Sequence, residues 1–467
     1  MAAPGGAPPR VALVGASGHG LWHRRTIAPL HDAGRLELVA LVDVRPVEAA
    51  PDAPVPPGAG IFTDHREMLG AVRPDVVVIC TPPHTHLPIA LDALAAGADL
   101  LLEKPPVLSL ADHRTLATAL AGAGRVAQIG FQALGSAALR ELVSAVADGR
   151  LGRITGISTV ASWQRTDGYY ARAPWAGRRS VQGRPVLDGV LVNPLAHAVM
   201  QCLAVAEAAV AVGAVAPPGG VGGAPPAGGD GAPQAEVDAV ASGGVDAVAS
   251  GGVDAVASGG VDAVPPVEVD GVPPGGVDAV PPGWPAQVEL ERYRVRPIEV
   301  DDTAALRATL GCGLPVVAAV TLAGEDLIAG EVIVHGTAGR AVLEYTTDRL
   351  TLPGDPGPRA VPGRVNLLEN LLAHRVDPVA VPLIAPLHRT AAFTALAQAI
   401  QAAPEPELVA GDRVLATGAG PDRVLTIRGV NAVLRRAAAE GALLSELRVP
   451  WAVKPHRVAM EGAPGDA

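Results

Sequence analysis

The chain is short of lysine. Of 36 basic residues among 467, only Lys104 and Lys454 are lysine and the other 34 are arginine. A guanidinium cannot replace a compact ammonium with a movable pKa, so a lysine retained in such a background stands out before any motif is read. Aromatic residues are scarce too, at five Trp, four Tyr and three Phe, which makes any cluster of them informative. The three cysteines, Cys80, Cys202 and Cys312, lie far apart with no CxxC pair. That spacing argues against a disulfide framework and against a structural zinc site, and no metal-ligand set is read from the sequence. No uninterrupted apolar run reaches 18 residues, which excludes an ordinary membrane-spanning helix. The opening MAAPGGAPPR lacks the charged start, long apolar stretch and cleavage site of a secretory signal, so a cytoplasmic protein with no membrane partner is expected.

A basic surplus is also missing. The formal net charge is −11. Nine acids and no Lys or Arg fall between residues 211 and 283, and without them the charge is −2. A nearly neutral remainder gives no support to nucleic-acid binding through a basic patch. The same stretch holds the only internal repeat, six units of period eight, with VDAVASGG beginning at Val237, Val245 and Val253. It is too poor in large apolar residues to build a core, so a flexible insertion is expected, with a functional spacer as the other reading.

At 49% hydrophobic, the rest of the chain is ample for two or three cored domains. RVALVG (Arg10 to Gly15) reads as an apolar strand, followed by ASGHG, a helical stretch, and a second strand ending at Asp43. This is a βαβ unit with a glycine turn where a dinucleotide site needs one. Gly15 permits the tight turn and Gly20 close helix packing, and backbone N–H groups around Ser17, Gly18 and His19 can hold a pyrophosphate. Asp43 suits the ribose hydroxyls of NAD, whereas Arg45 suits the 2′-phosphate of NADP; NAD is favoured.

Alternation continues. A short helix capped by Thr63, the strand DVVVIC, a helix closed by Gly97, the strand DLLLEK, a helix opened by Ser109 and Asp112, and the strand RVAQIGF complete a doubly wound parallel sheet. Ligands of such sheets sit at the carboxyl ends of strands. Two of those ends carry unusual residues: Thr81, Pro82, Pro83, His84 and His86 after one, and Glu103, Lys104, Pro105 and Pro106 after the other. A lysine there can stabilise negative charge developing on a reacting hydroxyl. His86, at a helix start, equally suits a cap or packing residue.

With VGASGHG, CTPPHTHLPIALDALAAG and LLLEKPP in this order, the sequence resembles the Gfo/Idh/MocA oxidoreductases, the glucose-fructose oxidoreductase and inositol dehydrogenase family. The resemblance implies an N-terminal Rossmann domain and a C-terminal α+β domain with an open, mostly antiparallel sheet. It implies that Thr81 and Pro82 lie along the cofactor, with His86 and Glu103 near it, and that Lys104 lies between nicotinamide and substrate. It also implies a homodimer or homotetramer.

Four of the aromatics, Trp163, Tyr169, Tyr170 and Trp175, fall within 13 residues beside Arg165, Asp167 and Arg172. Such a cluster can stack on sugar faces, or it can fold over itself. The family places an Asp four residues before a His at the next helix; this chain has Asn193 and His197 at that spacing. Both fall on one helix face and can meet one substrate, with His197 as acid or base. Asn cannot take a proton, and Asn193 followed by Pro194 equally suits an N-cap and first helical position. Asp188 is the nearby carboxylate, at a spacing outside the family pattern.

The expected division is a flexible N-terminus at 1–9, a dinucleotide-binding Rossmann domain at 10–131, and a substrate and oligomerisation domain at 132–213 and 284–455. A low-complexity acidic insertion at 214–283, read as disordered, and a flexible C-terminus at 456–467 complete it. The expected activity is NAD(P)-dependent hydride transfer to or from a secondary alcohol of a sugar, cyclitol or related polyol. Two other readings stay open: a dinucleotide-binding regulatory protein without catalysis, and an NAD-assisted hydrolase, lyase or epimerase using transient oxidation.

Overall fold

Six strands form the first sheet of the computed structural model, which describes residues 7–48, 50–216 and 280–460. They are β1 (Arg10–Val14), β2 (Glu37–Val42), β3 (Gly60–Phe62), β4 (Val76–Ile79), β5 (Asp99–Leu102) and β6 (Ala127–Ile129), in the order β3-β2-β1-β4-β5-β6. Every pairing is parallel. The strands are runs of Val and Leu because both faces are covered. Helices α1 (Gly20–Asp32), α2 (His65–Val72), α3 (His86–Ala95) and α4 (Leu110–Ala123) make the crossovers. Ser109 caps α4 through the Asp112 N–H, as expected. The cap of α2 is Asp64 and not Thr63: its carboxylate accepts from the Arg66 and Glu67 amides, and a carboxylate serves the helix N-terminus better than a hydroxyl.

The second sheet is built around β7 (Ile154–Gln164), after helix α5 (Ala137–Ala147). Beyond β7 come the short helix α6 (Asp167–Ala171), the two-residue strands β8 (Ser180–Val181) and β9 (Arg184–Pro185), and helix α7 (Ala196–Ala211). Strands β10 (Pro285–Arg294), β11 (Thr303–Leu310), β12 (Pro315–Thr321), β13 (Ala323–Gly336), β14 (Gly339–Glu344), β15 (Arg349–Thr351) and β16 (Arg359–Ala360) follow. The sheet is antiparallel except where β7 lies parallel to β12 and β10 to the short β17 (Glu407–Leu408). Its two faces follow the strand period. Leu290, Leu306 and Ala318 pack with α7 and with α9 (Ala391–Ala402), while Tyr293, Ala305 and Ala319 pack with α10 (Val430–Glu440), Leu443 and Leu444.

One helix crosses between domains. Right-handed crossovers place α1 on one face of the first sheet and α2, α3 and α4 on the other, which would leave β4, β5 and β6 bare beside α1. Helix α8 (Leu367–Val376), far along the chain, covers that gap with Leu367, Leu368, Leu371 and Leu372. Asn366 caps it, and Asn370 pairs with Gln128 of β6. Packing of α8 on the first sheet thus crosses the division expected at residue 131. The C-terminus also differs from expectation: β18 (His456–Ala459) pairs antiparallel with β10, fixed by Val458 opposite Val288 and by Arg457 on Glu289. The octad repeats lie outside the described residues; of the 214–283 segment, Val215 bridges to Ile154. Among the described residues no helix is long and apolar enough to cross a membrane.

Leu371 is fully buried between α8 and the sheet. Leu371→Ala should lower unfolding free energy by about 2–5 kcal/mol, read by urea denaturation.

Candidate active site

The strand order reverses between β1 and β4, and the candidate residues gather at the carboxyl ends there. Gly15 takes φ +89° at the end of β1, and a Cβ on it would fall 2.3 Å from the Cys80 carbonyl oxygen. A Cβ on Gly20 would fall 1.8 Å from the Gly15 carbonyl oxygen, so this turn admits no side chain at either position. Gly18, at φ +60°, faces open space. The Gly18 and His19 amides donate to no acceptor among the described residues, and the first turn of α1 has no acid. Two free amides at an uncapped helix start fit a pyrophosphate. Asp43, just beyond β2, is buried; it accepts from the Ser17 amide at 2.8 Å and the Arg45 amide at 3.0 Å. Arg45 points outward, its Nε 3.7 Å from Asp43.

At the ends of β4 and β5 the sequence-predicted residues separate into two sets. Thr81 and Pro82 form the turn into α3, with the Thr85 hydroxyl bonded to the Thr81 hydroxyl and the Pro82 carbonyl. His86 is buried with both ring nitrogens 2.8 Å from carbonyl oxygens, those of Thr81 and Pro105. It joins the two strand-end loops, and neither nitrogen is left to face a ligand. Glu103 is also buried, accepting from His23 Nε2 at 2.9 Å, Gln132 Nε2 at 3.0 Å and the Lys104 amide at 3.1 Å. Burial works to raise its carboxyl, but the bonds and charge of His19 and His23 outweigh it and hold Glu103 well below the usual carboxylate range.

Lys104 reaches across to the second domain. Its Nζ donates to Asn193 Oδ1 at 2.7 Å, and Asn193 Nδ2 donates to Asp188 Oδ1 at 2.8 Å. An ammonium only donates and a carboxylate only accepts, so this order fixes the amide of Asn193 in one orientation. Asp188 is buried and also accepts from Arg172 and from the Gly177 amide. Burial lifts the Asp188 carboxyl, opposed by Arg172 and Asn193, and burial draws Lys104 below its ordinary value, opposed by Glu103 and Asp188. Asn193 is not an N-cap: α7 starts at Ala196 with Leu195 before it, and the Asn193 side chain serves Lys104 instead. The off-pattern Asp188 thus stands directly behind the Asn.

His197, in the first turn of α7, lies edge-on to Phe131 with ring centroids 5.9 Å apart. Its Nδ1 is buried without a hydrogen-bond partner in the structure. Burial, reinforced by the Lys104 charge, pushes it down to about 3, so the imidazole is neutral at physiological pH.

The aromatic segment is arranged around arginines. Arg172 lies 3.6 Å from the Tyr169 ring centroid and 4.8 Å from that of Trp175. Arg165 lies between Trp163 and Tyr169, and Arg296 over Tyr170. Trp163 is a core residue whose indole N–H bonds the Ala329 carbonyl. Tyr169 and Trp175 thereby hold Arg172 against Asp188, a role the clustering alone did not show. Sequence reasoning also missed His23 and Gln132 on Glu103; the His19 and His23 spacing of four on one helix face was the available signal.

Residues 9–131 match the model of an oxidoreductase family with an NAD-binding Rossmann fold, GFO_IDH_MocA. Over those residues, about a quarter of the chain, the sequence is similar to the Gfo/Idh/MocA oxidoreductases. Similar curated proteins include D-glucoside 3-dehydrogenase of Escherichia coli, 33% identical over 33% of this chain and 43% of its own. Inositol 2-dehydrogenase 4 of Saccharopolyspora erythraea is 32% identical over 31% and 42%. The chain spans less than half the length of these relatives. Among solved structures, the WlbA dehydrogenase of Bordetella pertussis in complex with NADH and UDP-GlcNAcA matches with TM-score 0.58 at 20% identity, covering 84% of this chain and 95% of that one. That likeness is one of fold and covers both domains.

The ordinary histidine value is 6.5, and in this site His197 is held near 3. Folding therefore favours the neutral ring; the resulting stability is full above pH 6.5 and is lost as pH falls toward 3. In an NMR titration the His197 ring should stay neutral down to about pH 4. His197→Asn should remove part of the acid-side loss of stability.

Proposed function

We propose that the chain is an NAD-dependent dehydrogenase acting on a secondary alcohol of a sugar, cyclitol or related polyol. The observation that carries this reading is the Lys104 ammonium, aimed by Asn193 and Asp188 and near the neutral His197, at the switch point of a Rossmann sheet. The names of the sugar and inositol dehydrogenase relatives support the substrate class. NAD fits because a buried Asp43 carboxylate at the end of β2 accepts ribose hydroxyls and repels a 2′-phosphate.

A nicotinamide dinucleotide bound at the glycine turn supplies a hydride acceptor. Gly18 and His19 would hold its pyrophosphate by their amides, and Asp43 its ribose. Lys104 Nζ has one proton committed to Asn193 and two left to donate to the substrate oxygen, stabilising negative charge as the C–H bond breaks. His197, neutral, would take the hydroxyl proton. Asn193 takes no proton; it passes the orienting pull of Asp188 to Lys104. The carboxylate behind Asn193 favours turnover over a regulatory role without chemistry.

Fluorescence titration with NADH and NADPH, followed by an absorbance screen of sugars, cyclitols and sugar acids, tests this. NADH should bind more tightly than NADPH, and one substrate should yield steady NADH. Lys104→Ala should retain NADH binding and lose on the order of 10²–10⁴-fold in kcat/KM. Binding without turnover on any substrate would refute the dehydrogenase reading. Asp188→Asn should lower kcat more than it raises KM, since the carboxylate acts on Lys104, through Asn193 and by its charge, and not on the substrate.

A further inference from the structure

We propose that His19, His23 and Cys80 form a site for a divalent transition-metal ion of the zinc class, beside Glu103, and that its occupation excludes the dinucleotide. The proposal of exclusion rests on the dinucleotide reading above; the metal site itself does not. One ligand atom from each of the three residues lies within 4.8 Å of the others. His19 and His23 are four apart at the start of α1 and so project together. The Cys80 thiol comes from the end of β4, and Glu103 from the end of β5. Glu103 Oε1 is 2.9 Å from His23 Nε2 and 3.6 Å from His19 Nε2, placed to serve as a fourth donor or to orient the histidines. Two donors on one tetrahedral zinc lie roughly 3.5 Å apart given bond lengths of about 2.0–2.3 Å, so gathering these groups takes about an ångström of side-chain movement. Half-exposed His19 gives the ion an entry path.

The donor set decides the class of ion. Two imidazoles and a thiolate suit zinc, cobalt, nickel or copper and do not suit magnesium or calcium, which take oxygen. Cysteine spacing could not reveal this site, because its thiol has no cysteine partner and the other ligands come from separate elements. Binding would release the thiol proton to solvent, the neutral imidazoles coordinating through their unprotonated nitrogens, and change no oxidation state. The same ion would tie the His19 side chain to β4 and β5. The His19 amide belongs to the pyrophosphate cradle and Glu103 precedes Lys104, so ion and dinucleotide claim the same few ångströms of cleft.

The test uses Co2+ as the probe on the full chain freed of metal and dinucleotide. Expected are one equivalent bound, with a near-ultraviolet thiolate-to-cobalt band that Zn2+ abolishes. Cys80→Ser should lose that band and Cys312→Ser should keep it. His19→Ala, a change at a half-exposed side chain that the fold tolerates, should weaken binding about tenfold or more, and His23→Ala likewise. Added NADH should erase the band as it binds. Absence of the band in the unaltered chain, its persistence in Cys80→Ser, or unchanged affinity in both histidine variants would overturn the metal site. NADH binding beside an intact band would overturn the exclusion. Cobalt bound through Cys80 with no NADH binding to the metal-free chain would uphold the site and refute the dinucleotide reading instead.

Discussion

The hydrogen bond from Lys104 to Asn193 ties the two domains together at the point where chemistry is possible. A buried ammonium is costly unless it is paired. Here the pairing is indirect: a neutral amide touches the lysine, and the countercharge sits one residue further back in Asp188. Asp188 is held in turn by Arg172, and Arg172 by the faces of Tyr169 and Trp175. The aim of one ammonium proton thus depends on packing in a loop of the second domain. An aspartate in place of Asn193 would bring the charge into contact with Lys104 and raise its affinity for the proton; the asparagine keeps the position and softens the pull.

Much of this was legible in the sequence. The βαβ rhythm, the glycine turn followed by an acid, and a single lysine among arginines located the first domain and singled out Lys104, because each rests on local rules of turns, strands and side-chain chemistry. Alternating strands announced the second sheet for the same reason. Other features depend on residues far apart in the chain and left no local trace. Asn193 followed by Pro194 has the form of a helix cap, yet the helix begins at Ala196 and the amide is used elsewhere. Asp188 missed the expected spacing because its link to Lys104 runs through Asn193 and not along a helix face.

The aromatic segment shows a second limit. Composition singled out Trp163, Tyr169, Tyr170 and Trp175 but could not tell a platform facing a ligand from one facing the protein's own cations. The structure places Trp163 in the core and Arg165, Arg172 and Arg296 against the rings. His86 is similar: its position suited a ligand contact and a packing role alike, and both its ring nitrogens face carbonyls of the loops it joins. Pattern identifies chemically capable residues, and only the fold shows which of them are already committed.

Helix α8 has a consequence for how such a protein can be divided or inherited. The first sheet is continuous in the gene from its first strand to its last, yet one of its faces is closed by a helix encoded more than 200 residues later. A fragment ending after β6 would expose Leu13, Val78 and Leu101 to water. The two halves therefore cannot be shuffled as independent cassettes.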